Sequence, residues 1–141
     1  MTPELKVLIL AALWHMLQLV FFAVPANLEL GTGKTLSPRD PYRLKKPLME
    51  QVSVPTGRLA RAYNNHNEAL LLFAIAAIAV TLSGASSGYT ATLAWIYLAA
   101  RIAYVPAYAL GWVPWRSIIF GLGWLATGLL LLAALFAPSS V

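Results

Sequence analysis

The chain has 141 residues, of which 60% are hydrophobic and only 11% charged, with a formal net charge of +5 and no cysteine. Soluble domains carry about a quarter charged residues, so this composition, with a mean hydropathy of +0.70, excludes an ordinary water-soluble fold. The missing cysteine excludes disulfides, thiolate metal sites and a cysteine nucleophile, and any thiol chemistry must come from a ligand.

Four apolar segments, at about 5–25, 57–83, 89–110 and 114–137, each approach the ~20 residues of a bilayer-spanning helix. Together they predict one all-α domain over residues 1–141, an integral membrane four-helix bundle. The first segment, "LKVLILAALWHMLQLVFFAVP", is expected to stop at Pro25. Its apolar run exceeds the 7–15 residues of a secretory signal, and Val24-Pro25-Ala26 is a poor cleavage site. His15 and Gln18 lie one turn apart and read as an interhelical hydrogen-bonding pair rather than as metal ligands; no metal site is expected.

The connection at about 27–56 is punctuated by Gly31, Gly33, Pro38, Pro41, Pro47 and Pro55. Loops of this length are often functional. Its "GTGKT" at Gly31–Thr35 has Leu28 where a phosphate-binding loop needs glycine, and no strand precedes it. Lys34, Arg39, Arg43, Lys45, Lys46 and Arg58 gather in or beside this connection, whereas the Ser83–Tyr89 turn is uncharged. The positive-inside bias therefore puts the long connection and the short Gly111–Trp115 connection in the cytoplasm and both termini on the opposite side. Anionic headgroups account for such juxtamembrane cations, and no nucleic-acid motif accompanies them.

The second segment should start after Pro55 and Gly57, and it opens on "RAYNNHNE", Arg61 to Glu68. At ~100° per residue, Arg61, Asn65 and Glu68 share one face, and Tyr63, His66 and Asn67 lie on roughly the opposite side. An intramembrane carboxylate is costly unless paired, and Arg61 is two turns from Glu68. Asn65 between them, or a cation on a neighbouring helix or subunit, is therefore needed. The third segment repeats the pattern with Tyr97, Arg101, Tyr104 and Tyr108 on one face, and the fourth opens with Pro114, Trp115, Arg116 and Ser117. Topology brings these three clusters to one membrane level, as a cationic, phenol-rich cavity suited to an anionic ligand whose reactive end meets lipid.

Plainer readings stand beside this one. Tyr97, Tyr108, Trp112 and Trp115 also fit an interfacial aromatic belt, Arg58 and Arg116 also fit snorkelling to headgroups, and His66 fits a structural or surface role. Gly121, Gly123 and Gly128, with Ala74, Ala76, Ala77 and Ala79, suit close helix packing in lipid.

Arg61-x3-Asn65-x2-Glu68, Arg101-x2-Tyr104-x3-Tyr108 and Pro114-x-Arg116-Ser117, in that order along four segments, resemble the MAPEG family, membrane-associated proteins in eicosanoid and glutathione metabolism. The resemblance covers essentially the whole chain and is closest to an uncharacterised bacterial branch, implying a bacterial inner membrane location. It implies a homotrimer with glutathione as co-substrate at each subunit boundary. Residues matching Arg61, Asn65 and Glu68 would come from one subunit and those matching Tyr104 and Tyr108 from its neighbour. Members that are enzymes act as glutathione transferases or peroxidases on lipophilic molecules, or as prostaglandin isomerases, while one member binds lipid without glutathione. The implied glutathione-binding set is Arg61, Asn65, Glu68, Arg101, Tyr104 and Tyr108. The implied catalytic set is Arg116, facing the sulfur, with Ser117 or Tyr104 as hydrogen-bond donors. Two positions depart from the pattern: Ala69 stands where some members have tyrosine, and Pro25-Ala26-Asn27 offers no basic residue.

Overall fold

The computed structural model describes residues 1–40, 42 and 44–139. Pro41 and Arg43 of the basic connection lie outside the described residues. All regular structure among the described residues is helical: α1 (Pro3–Leu30), α2 (Thr32–Thr35), α3 (Leu48–Gln51), α4 (Val54–Leu82), α5 (Gly88–Ala109) and α6 (Trp115–Leu135). α1, α4 and α6 are long and apolar enough to cross a membrane. α5 falls short of that apolar level because Arg101 and four tyrosines interrupt it, and its place in the fold explains why this is tolerated. Ten of its 22 residues are buried, against four of the 21 in α6, so α5 meets protein where the others meet lipid.

The helix ends depart from the expected boundaries in two places. α1 runs through Pro25 to Leu30 and ends at Gly31, whose φ of 79° suits glycine. Proline here removes one backbone donor, the one that would reach Phe21 O, a loss that membrane helices tolerate; nearby, Asn27 Nδ2 donates to Ala23 O at 2.8 Å. α4 begins at Val54, before Pro55 and Gly57, with Ser53 as N-cap. Proline lacks only a donor that the first turn leaves unused. The turn into α5 matches expectation, with Gly84 at φ 71° and a capping box between Ser87 and Thr90. "GTGKT" forms only the helical turn α2.

α1 packs mainly on α4 and α6 mainly on α5, while α4 touches both α5 and α6. Side-chain bonds at both ends set their directions. Thr2 Oγ1 meets Thr81 Oγ1 at 2.8 Å, and the buried Glu4 accepts from Ser86 Oγ at 2.8 Å and Thr90 Oγ1 at 2.6 Å. At the other end Glu29 accepts from Ser53 N at 2.8 Å, Ser53 Oγ at 2.6 Å and Thr56 Oγ1 at 2.6 Å. A carboxylate there also complements the positive end of α4. α1 therefore runs antiparallel to α4.

The core joins Val7 and Ala11 of α1, Phe73, Ala76, Ala77 and Val80 of α4, Ala94 and Tyr97 of α5, and Ala126 and Leu130 of α6. Small side chains let helices approach where packing, not water exclusion, drives association. Gly123 behaves as that reading expects, since a Cβ there would sit 3.6 Å from Ala100 Cβ and 3.8 Å from Arg101 Cδ. Gly121 and Gly128 do not, because a Cβ at either would meet nothing within 4 Å.

Candidate functional site

The polar residues of α4, α5 and α6 form two adjoining groups near the end of the bundle that carries the long connection. The inner group centres on Arg101, which is 2% exposed. Its Nη2 donates to Asn65 Oδ1 at 2.9 Å, its Nε donates to His66 Nδ1 at 3.5 Å, and its guanidinium lies 4.6 Å from the centre of the Tyr104 ring. A guanidinium cannot shed its proton, so it is a fixed positive charge held without a counter-ion among the described residues.

The outer group is more exposed. Arg61 Nε donates to Tyr108 Oη at 3.1 Å, and the Arg116 guanidinium lies 5.2 Å from the Tyr108 ring centre. The Tyr104 and Tyr108 rings, 5.5 Å apart, join the two groups. Ser117, next to Arg116 in the first turn of α6, is exposed. Arg61 and Asn65 thus meet partners from α5 within a single chain.

A groove of about 390 Å³ opens beside the inner group. Asn65, Glu68 and Arg101 form its polar end, and Ala69, Leu72, Tyr97, Phe120, Trp124 and Leu131 its apolar walls, with Gly123, Thr127 and Gly128 completing it. Such a volume lies at the small end of typical ligand sites, which combine mostly apolar lining with few polar groups. Of the eight positions in the implied binding and catalytic sets, Asn65, Glu68 and Arg101 line this groove. Arg61, Tyr104, Tyr108, Arg116 and Ser117 do not; they lie beside its polar end. Glu68 is exposed, and within its own helix nothing pairs with it.

The structure decides three readings that the sequence left beside one another or favoured on one helix alone. Tyr97 is not an interfacial residue: it is 1% exposed, stacked on Phe73 at 4.0 Å, and its hydroxyl has no hydrogen-bond partner. His15 and Gln18 do not make the expected interhelical hydrogen bonds: among the described residues His15 Nδ1 and the Gln18 amide have no partner, and the His15 ring instead stacks on Tyr63 at 4.2 Å and on His66 at 5.0 Å. Arg58 does not snorkel: its Nη1 donates to Ala109 O at 3.2 Å, placing a cation at the negative end of α5. Its guanidinium also crowds Gly111, where a Cβ would come within 3.1 Å of Nη1 and φ is 68°.

His66 is the site residue that sequence reasoning missed. It is fully buried and bonds the same arginine as its neighbour Asn65. Helical periodicity assigns consecutive residues to different faces, so only the long reach of Arg101 brings the two together.

The fold and site define an all-helical protein with membrane-capable helices and a buried cation at the head of an apolar groove. A profile of the MAPEG family matches residues 6–136, and the chain belongs to that family. No curated protein and no solved structure matches it.

Proposed function

We propose that the chain is a glutathione-dependent transferase or peroxidase acting on lipophilic electrophiles in the membrane, assembled as a homotrimer. The observation that carries the reading is Arg101, a buried and uncompensated guanidinium at the polar end of a lipophilic groove, with Asn65 and Glu68 beside it. Glutathione offers two carboxylates, one ammonium and one thiol. Arg101 and Arg61 suit the carboxylates by the bidentate match of guanidinium to carboxylate, and Glu68 suits the ammonium. The exposure of Arg61, Glu68, Arg116 and Ser117 leaves room for a neighbouring subunit to close the site.

The chemistry then needs a thiolate. A cation near sulfur favours the ionised form, and a preorganised one contributes most where charge changes during reaction. Arg116 takes this role, its side chain held against the Tyr108 ring, with Ser117 or Tyr104 donating a hydrogen bond. In transfer, the sulfur forms a bond to an electrophilic carbon, and the electron pair of the broken bond leaves on the departing atom. The apolar walls hold the electrophile and keep water away. The basic connection faces the cytoplasm of a bacterial inner membrane, with both termini on the other side.

A second reading, a non-catalytic lipid-binding or scaffold protein, is favoured by the bonds that Arg61 and Arg101 make to Tyr108 and Asn65. Calorimetric titration of the purified protein with glutathione, followed by stopped-flow absorbance of bound thiolate, separates the two. Saturable binding heat with a thiolate signal is expected. Absence of both heat and thermal stabilisation would reject the catalytic reading.

A further inference from the structure

We infer that His66 is a positioning residue that fixes which edge of the Arg101 guanidinium faces the groove, and that this edge receives a carboxylate end-on. The inference rests on the proposed reading of the site and deepens it.

The argument starts from the hydrogens of arginine. Nε–H and one hydrogen of Nη2 lie along one edge of the planar guanidinium, the other Nη2 hydrogen and one Nη1 hydrogen lie along its end, and the second Nη1 hydrogen points back beside Cδ. His66 Nδ1 accepts from Nε at 3.5 Å and Asn65 Oδ1 accepts from Nη2 at 2.9 Å, so two consecutive residues of α4 occupy the side edge. The Tyr104 ring, 4.6 Å away, covers the plane. Among the described residues no hydrogen bond engages Nη1, and Arg101 lines the groove. The end of the guanidinium is therefore the part offered to a ligand, and a planar carboxylate is the anion that two parallel N–H donors match best.

His66 is itself held. Its ring is fully buried and stacks on His15 at 5.0 Å with a 16° interplanar angle, and His15 stacks in turn on Tyr63 at 4.2 Å and 6°. A ring stack running from α4 through α1 and back to α4 thus fixes the plane of His66. Accepting at Nδ1 requires that nitrogen to carry a lone pair, which puts the proton of the neutral ring on Nε2. Asn65 alone would leave Arg101 free to swing about a single bond. With His66 the guanidinium has two anchors, and an ordered donor loses less freedom when its ligand binds.

The test compares two amide substitutions in the full-length protein held in lipid nanodiscs. His66→Asn places an acceptor near the position of Nδ1, whereas His66→Gln places its polar atoms near Nε2, out of reach of Arg101 Nε. Calorimetry measures glutathione and, as the control, a glutathione diamide that lacks both carboxylates. We expect His66→Asn to stay within about twofold of the parent and His66→Gln to bind glutathione about tenfold more weakly, the loss of one charge-assisted bond. Both should bind the diamide as the parent does.

An independent variant, His15→Leu, removes the ring behind His66 while leaving both Arg101 bonds, and should weaken glutathione but not the diamide, by about threefold, a fraction of one such bond. Equal glutathione affinity in all variants, equal weakening by Asn and Gln, or the same loss for the diamide overturns the inference. If the parent protein binds no glutathione, the proposed function itself falls, an outcome distinct from these.

Discussion

Arg101→Met separates a functional buried cation from a structural one, because the two roles predict opposite pairs of results. Methionine has a long, flexible, apolar side chain that can follow the buried stem of the arginine. The change removes two hydrogen bonds from a charged donor, worth about 1.5–3 kcal/mol each, with the 3.5 Å bond to His66 at the low end. It also removes a cation–π contact worth about 0.5–2 kcal/mol, for a total loss of about 4–6 kcal/mol. Against this, a guanidinium held away from water without a carboxylate partner costs several kcal/mol, which methionine recovers. The two sides nearly cancel, so the thermal stability of Arg101→Met in detergent is expected to lie within about 2 kcal/mol of the parent. Glutathione affinity is expected to fall at least about thirtyfold, since losing a buried guanidinium–carboxylate contact costs 2–5 kcal/mol. Melting curves and calorimetry on the same preparations read both quantities. A large drop in melting temperature with unchanged glutathione affinity would refute the reasoning and favour a structural network.

Two further outcomes test the chemistry and the groove. Arg116→Ala is expected to raise the pKa of the bound thiol, abolish the thiolate absorbance at neutral pH and lower turnover by about 10²–10³, the usual loss for a removed electrostatic donor; unchanged turnover would reject its role at the sulfur. Gly128→Leu introduces a side chain where nothing lies within 4 Å of a Cβ on the wall of the groove, so folding should be unimpaired and helix propensity slightly better, by about 0.5–1 kcal/mol. Its KM for a lipophilic co-substrate should rise while glutathione affinity holds, and an unchanged KM would place that substrate elsewhere.

Much of this architecture follows from local pattern. Apolar runs of about bilayer length and the short turn at Ser83–Tyr89 are properties of contiguous residues, and helices over those runs are present. Errors came where a local signal was overridden by its neighbours. Pro25 does not stop α1, because a proline inside a membrane helix removes a single backbone donor while the turns on either side keep theirs. Tyr97 fits by residue type either an interfacial belt or the face it shares with Arg101, and it lies in the core against Phe73 and on the groove wall; nothing in a single helix distinguishes these environments.

By itself the sequence determined the membrane class of the protein, the helix order and the shared faces of Arg61, Asn65 and Glu68 on α4 and of Arg101, Tyr104 and Tyr108 on α5. Periodicity settles such things because residues on one helix are fixed relative to one another. Only the tertiary structure decided that Arg101 is held by two adjacent residues of α4, that the His15 ring stacks on both Tyr63 and His66, and that Asn65, Glu68 and Arg101 head a groove whose walls come from α4, α5 and α6. These pairings depend on how far one helix is rotated and shifted against another, and that is set by alanine and glycine packing across the whole core.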